Sequence, residues 1–395
     1  MKRILLATAV SAGLVSAAAA EPVNIGVILG FTGPLESITP GMGGSAEVAL
    51  KEASESGKLP NGITLNPVRA DSTCVDAAAA TTAAEGLVSS QNVAAIMGAD
   101  CSGVTTAVAT NVAVPRGVTI ISPSATSPAL TDLEDNGYFF RTAPSDARQG
   151  EVLADLVTEN GTTEVAVTYT NNDYGKGLAD TFAAAFEERG GTVAISAAHE
   201  DAKADYSAEV AALQASGADT LMVFGYVDRG GRGIVQGALD TGAFENFYFA
   251  DGMYGQSLID AVGDEINGIV IGTLPGVEGE GADIFAKVAE SHGMDPTGTY
   301  VPESYDAAAL IALSIAASGS ADRTAIRDHV MNVANAPGEQ IFAGELAKGI
   351  EILTSGGDID YQGATGVELI GPGEAAGSYR VYEIENNAPV TLGYR

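Results

Sequence analysis

Met97-Gly98-Ala99-Asp100-Cys101-Ser102-Gly103 and its echo, Ser122-Pro123-Ser124-Ala125-Thr126-Ser127-Pro128, decide how this chain is read. Each follows a short apolar run rich in β-branched residues, 93–97 and 118–121, that reads as a buried strand. A helix-like segment follows each turn. A turn at the carboxyl end of a parallel strand presents free backbone N–H groups at a helix start, and Ser102 and Thr126 add hydroxyls. Two such turns side by side make a seat for a carboxylate. Ser and Thr in these positions also serve as ordinary N-caps. A capping hydroxyl can face a ligand as well, so both readings stand at this point.

Outward from these turns the alternation continues in both directions. Residues 23–29 form an apolar strand that ends in the turn Gly30-Phe31-Thr32-Gly33-Pro34. Helix-period patterns over 41–56 and 73–89 alternate with a strand over 63–70. After 138–142 the rhythm restarts. It gives a helix over 147–160, a strand over 164–169, a polar loop over 171–177 and a helix over 178–189. Strands over 192–197, 220–224 and 247–250 follow, separated by helices over 206–216 and 233–241. The last of these strands ends at Asp251, and a helix over 257–262 comes next. A Gly-rich crossing over 275–281 leads to helices over 284–293, 305–318 and 322–334, and residues 379–384 alternate like an antiparallel strand. Strand and helix in strict alternation predict parallel sheets covered on both faces. Two such α/β units joined by several crossings enclose a cleft, with strand ends from both lobes facing it.

Composition narrows the function. The chain of 395 residues carries 51 acidic and 19 basic side chains, a formal net charge of −32. Nucleic acid and anionic membrane need clustered Lys and Arg, so both are excluded as partners. The excess is read as a solvated acidic surface suited to salty surroundings. Lys2 and Arg3, an apolar stretch to Val15 and Ala18-Ala19-Ala20 follow the plan of a secretory signal peptide over residues 1–20. No later run is apolar for long enough to span a bilayer. Cys74 and Cys101 are the only two cysteines, and an even pair bound for an oxidising compartment is read as bridged. Such a bridge adds about 3 to 4 kcal/mol on the chain-entropy model and fixes the Ser102 turn.

Enzymatic signatures are missing. His199, His292 and His329 lie far apart, without metal-ligand spacing or a nucleophile partner. The chain has no Gly-x-Ser-x-Gly elbow, no phosphate loop and no dinucleotide glycine fingerprint after its first strand. A secreted hydrolase using paired carboxylates is the alternative outside binding proteins, and no such pair stands out.

The chain resembles the periplasmic solute-binding proteins of ABC importers for branched-chain amino acids, the leucine/isoleucine/valine type. The resemblance runs over most of the chain. It rests on Gly30 to Pro34, Cys74 with Cys101-Ser102, Ser122 to Pro128 and Arg141-Thr142. Further on it rests on Tyr174-Gly175-Lys176-Gly177, Gly225-Tyr226 and Asp360-Tyr361-Gln362-Gly363-Ala364-Thr365-Gly366. It implies two Rossmann-like lobes joined by three crossovers that close on a ligand. Residues 21–143 plus 273–355 would form the first lobe, and 144–272 plus 356–395 the second. In that family a Ser, a Thr and nearby backbone groups hold the ligand carboxylate, which maps to Ser102, Ser124, Ala125 and Thr126. An acidic residue of the other lobe holds the ammonium, and Asp251 is similar to that group. Tyr174 and Tyr226 look like the aromatic contacts that close over the ligand, and Ile38 stands where some relatives place an aromatic.

Plainer readings exist for each. Asp251 before Gly252 fits a turn, and the tyrosines fit loop or core-edge packing. Asp228, Arg229 and Arg232 read as surface charge or an ion pair and are left out of the site. The resemblance thus implies a monomeric periplasmic protein without cofactor or metal. It would capture an α-amino acid of branched or other apolar side chain and hand it to ABC permease subunits. An amide or a small carboxylate is the alternative ligand.

Overall fold

The computed structural model describes residues 22–395, so the signal-like segment 1–20 lies outside the described residues. Two seven-stranded sheets form its frame. In the first, β1 (Val23–Leu29), β2 (Leu65–Asp71), β3 (Ala95–Gly98), β4 (Thr119–Ser122) and β5 (Phe139–Arg141) run parallel in the order β2-β1-β3-β4-β5. In the second, β6 (Glu164–Thr170), β7 (Thr192–His199), β8 (Thr220–Phe224), β9 (Asn246–Phe249) and β10 (Val270–Pro275) repeat that plan as β7-β6-β8-β9-β10. The central strands of both sheets are Val/Ile/Phe-rich and buried on both faces, as helix-covered parallel strands must be.

The C-terminal third completes both sheets. The helix Val301–Ser318 packs beneath the first sheet, with every residue from Glu303 to Ala316 buried. The strands β11 (Glu339–Phe342) and β12 (Ile359–Gly363) pair with each other. The short strands β13 (Leu369–Ile370) and β14 (Glu374–Ala375) extend the first sheet beside β5. Only β15 (Tyr379–Glu385) and β16 (Ala388–Tyr394) join the second sheet, antiparallel at its edge. The sequence assigned everything after 356 to the second lobe and everything from 273 to the first. Strand pairing moves both limits, and we propose crossings near 142–145, 276–279 and 376–378. These crossings touch one another: Gly276 N–H donates to Ser378 O at 3.0 Å, and the Tyr379 hydroxyl to Ser145 O at 3.2 Å.

Three local expectations change. Residues 171–177 are not all loop, because Asn172 accepts the Gly175 N–H at 3.1 Å and caps a helix over Asp173–Glu188. The helix expected from 305 begins at Val301, with Pro302 in its first turn, where the missing N–H costs nothing. No full helix follows Ser122 to Pro128, only a short turn of 3-10 helix over Pro128–Leu130 capped by Ser127.

Cys74 and Cys101 form a disulfide that ties the loop after β2 to the start of the helix after β3. Both sulfurs are thereby consumed, so their cluster with Asp100, the one metal-like grouping among the described residues, is not a metal site. The protein as isolated should resist thiol alkylation until reduced. Replacing both cysteines by serine should cost about 3 to 4 kcal/mol in denaturant unfolding. Two thiols alkylated without reductant would contradict the bridge.

Candidate ligand site in the interlobe cleft

Because the two sheets share one strand order, their topological switch points fall at equivalent places. The loops that bound the cleft are those after β1, β3 and β4 of one sheet and β6, β8 and β9 of the other. They enclose a cavity lined by Leu35, Ile38, Met42, Asp100, Cys101 and Ser102, with Ser124, Tyr174, Tyr226, Asp251, Gly252 and Tyr300 completing the wall. The cavity is small, about 20 Å³. The lobes are thus drawn close over a narrow site.

The lobe-1 wall is built by buried polar links. Gly98 has φ +122°, and a Cβ there would lie 2.0 Å from Ile28 O, so only glycine allows β3 to turn at this point. Asp100, fully buried, accepts the Gly30 N–H at 2.9 Å and the Ser72 hydroxyl at 2.9 Å, clasping the loops after β1 and β2. Ser102 opens its helix behind Cys101, which provides no side-chain cap. The Ser102 hydroxyl instead accepts the Ser127 N–H at 3.1 Å and joins the two turns. Arg141 supports the second turn from beneath, donating to Ala125 O at 3.0 Å and Ser127 O at 2.9 Å while pairing with Glu374.

These bonds sort the four carboxylate candidates. Ser102 and Ser124 face the cavity, with Ser124 Oγ also donating to Asp100 O at 3.0 Å. Ala125 does not line it, and its N–H is already given to Ser122 Oγ at 2.9 Å. Thr126 is buried just behind, with its hydroxyl beside the Asp146 carboxyl. Neither Ser102 nor Thr126 acts as a side-chain N-cap, so plain capping does not explain either hydroxyl.

The lobe-2 wall centres on Asp251, 3 % exposed. It accepts the Tyr174 hydroxyl at 3.2 Å and the Tyr300 hydroxyl at 2.7 Å. Tyr174 stacks on Tyr226 with ring centroids 5.3 Å apart. Gly252 lets the chain pass close by, since a Cβ there would lie 2.5 Å from Gly225 O and 3.0 Å from the Tyr174 hydroxyl oxygen. Burial holds the phenols of Tyr174, Tyr226 and Tyr300 well above the usual tyrosine range, so all three remain protonated donors.

Two residues of this region were not among the sequence candidates. Tyr300 sits at the N-cap of the helix under the first sheet with φ 56°, and from there its side chain crosses to Asp251 of the other lobe. Asp146 opens the helix Asp146–Glu159 and is fully buried, with the Thr126 hydroxyl beside its carboxyl and no salt bridge to it. Burial and the nearby Asp251 charge push its carboxyl well above the usual range. Burial likewise raises Asp251, against the pull of the Tyr300 and Tyr174 hydroxyls. The cleft therefore concentrates uncompensated acid and has no Lys, Arg or His in its lining.

A carboxyl whose pKa is raised in the fold stabilises that fold while protonated. The contribution is lost as pH climbs from the ordinary carboxylate range through the raised value. Asp146→Asn, neutral throughout, should therefore stabilise the ligand-free protein relative to wild type, by an amount that grows as pH rises above the ordinary carboxylate range. Melting curves across that rise in pH check it. A difference that does not change with pH would contradict the assignment of buried charge to Asp146.

Known proteins can now be compared with this geometry. Residues 22–347 match the periplasmic binding protein family. A substrate-binding protein of a chemotactic signal transduction system from Halobacterium salinarum is 26% identical over 93% of this chain and 88% of its own. The leucine-, isoleucine-, valine-, threonine- and alanine-binding protein of Pseudomonas aeruginosa is 27% identical over 82% of this chain and 85% of its own. The solved ABC-transporter solute-binding protein of R. palustris in complex with 4-hydroxybenzoate superposes with a TM-score of 0.75 at 18% identity, covering 95% of this chain and 97% of its own. Two α/β lobes meeting over a cleft and a family match over most of the chain lead to one statement: the chain belongs to the periplasmic binding proteins, a solute-binding and non-enzymatic family.

Proposed function

We propose that this protein captures an α-amino acid with an apolar side chain in the interlobe cleft and delivers it, as an exported monomer, to the membrane subunits of an ABC importer. One observation carries the reading: the cavity is lined by buried Asp251 and by no basic side chain. An ammonium placed against Asp251 would pair with its carboxylate and favour the ionised form that burial alone disfavours. A ligand that is only an anion would meet that acid with neutral donors alone. The ligand carboxylate is assigned to Ser102 and Ser124, with the Thr126 hydroxyl within the same turn. Leu35, Ile38 and Met42 supply the apolar wall for its side chain. The binding of branched and small amino acids by the P. aeruginosa relative supports the same class.

A small carboxylate is the second reading, favoured by the R. palustris neighbour that holds 4-hydroxybenzoate on the same fold. The chemotactic relative adds an alternative receiver, a signalling receptor in place of a permease. The hydrolase alternative falls with membership of a non-enzymatic family.

A thermal-shift screen separates the ligand classes, since a ligand at a hundred times its Kd stabilises by about 2.7 kcal/mol. Calorimetry on two variants then tests the assignment. Asp251→Asn should weaken amino-acid binding by about 2 to 5 kcal/mol, because it leaves a desolvated ammonium without its partner. Ser102→Ala should cost about 1.5 to 3 kcal/mol, one hydrogen bond to a charged group. The des-amino analogue should bind wild type weakly. Equal affinity for the amino acid and its des-amino analogue, with Asp251→Asn binding both unchanged, would remove the α-amino acid from the function.

A further inference from the structure

Beside the cavity, yet contributing nothing to its lining, the loop after β1 is stitched to the turn after β8. Asp228, 5 % exposed, stands at the centre. Its N–H donates to Pro34 O at 3.1 Å, and its Oδ2 accepts the Ser37 N–H at 2.8 Å. Its Oδ1 accepts the Ser257 hydroxyl at 2.7 Å, and Ser257 Oγ lies 3.2 Å from Ser37 Oγ. Glu36 and Arg229 pair across the same seam at 3.5 Å. Residues 34–37 belong to the first sheet's side, whereas Asp228, Arg229 and Ser257 belong to the second.

The chemistry separates two kinds of bond. Ser257 and the Arg232 guanidinium, which donates to Asp228 O at 2.9 Å, come from Asp228's own lobe and hold it in place whether or not the lobes meet. The bonds to Pro34 and Ser37 exist only when the lobes are together. No cation neutralises the carboxylate directly, because Arg232 takes the backbone carbonyl and Arg229 takes Glu36. Asp228 therefore exchanges water for the Ser37 N–H on closure. A hydrogen bond to a charged group is among the stronger neutral-to-ion contacts available to it. The strand end that carries Asp228 also carries Tyr226, and the loop it grips carries Leu35 and Ile38, so closing the seam seats walls of the cavity from both lobes.

We infer that Asp228 is a latch between the lobes: a positioning residue that sets the lifetime of the closed form without touching the ligand. The inference rests on the proposed function only for the choice of probe. Because the latch holds the closed form, it acts on the dissociation rate and acts equally on every ligand that permits closure.

The test uses the full mature chain with L-leucine and L-alanine as probes, by surface-immobilised kinetics. Asp228→Ala should raise the dissociation rate at least tenfold for both amino acids by a common factor. The association rate should stay within about twofold and the melting temperature of the unliganded protein should be unchanged. Asp228→Asn, which keeps one acceptor, and Ser257→Ala, which removes the own-lobe prop and the weaker Ser37 contact but leaves the Asp228 bonds to Pro34 and Ser37, should show smaller increases, and they serve if Asp228→Ala folds poorly. An unchanged dissociation rate, a loss carried by the association rate, or factors that differ between the two ligands would overturn the latch. Should neither amino acid bind wild type, the proposed function falls. The latch is then judged on nitroxide distances between the lobes of the unliganded protein: loss of the short-distance population in Asp228→Ala supports it, and an unchanged distribution overturns it.

Discussion

Asp251 lies in a cleft that excludes water, and its carboxylate is satisfied by two hydroxyls that arrive from different lobes. Tyr174 reaches it from the first turn of a lobe-2 helix, and Tyr300 from the N-cap of the long helix under the first sheet. Moving either lobe breaks one of these bonds and returns a buried charge to solvent. The close fit of the lobes and the acidic character of the cavity are thus one constraint seen from two sides. Asp146 adds a second buried carboxyl nearby, and burial together with the Asp251 charge favours its neutral form.

On the opposite wall the Ser102 hydroxyl keeps its proton free for a ligand, whereas Ser124 would have to release Asp100 O in order to donate. Ser102 Oγ is spent partly on Ser127, Ser124 Oγ on Asp100 O, and Arg141 on the carbonyls of the second turn. The two terminal nitrogens of Arg141 are taken by Ala125, Ser127, Thr131 and Glu374, so they brace this turn without lining the cavity. A zwitterion is served by this division of labour, with hydroxyls at one end and a carboxylate at the other.

Much of this was legible in the residues. The two turns after β3 and β4, the restart of the βα rhythm after 142 and the pairing of Cys74 with Cys101 follow from local pattern and from cysteine count, which do not depend on tertiary detail. Ser102, Ser124, Tyr174, Tyr226 and Asp251 fall around one cavity because equivalent strand ends of a repeated topology face one cleft. What escaped was set by distant contacts. Tyr300 follows Gly298-Thr299 in a turn-rich stretch, and nothing local shows that a residue at φ 56° will aim across the cleft. Asp146 after Ser145 reads as an ordinary acidic helix start, and only packing reveals that it is fully buried. Ala125 failed for a similar reason, since the Ser122 hydroxyl that takes its N–H is three residues away and reads in sequence as a strand end. β13 and β14 pair with the first sheet although they lie beyond the expected limit at 356, and as two-residue strands they have no period to read.

A crystal structure of the protein grown with L-leucine would test this division of labour most directly. The ligand nitrogen should lie within hydrogen-bond distance of Asp251, with the carboxylate on the hydroxyls of Ser102 and Ser124 and the side chain against Leu35, Ile38 and Met42. A ligand bound in the cleft with its nitrogen turned away from Asp251, or with its carboxylate against that residue, would contradict it.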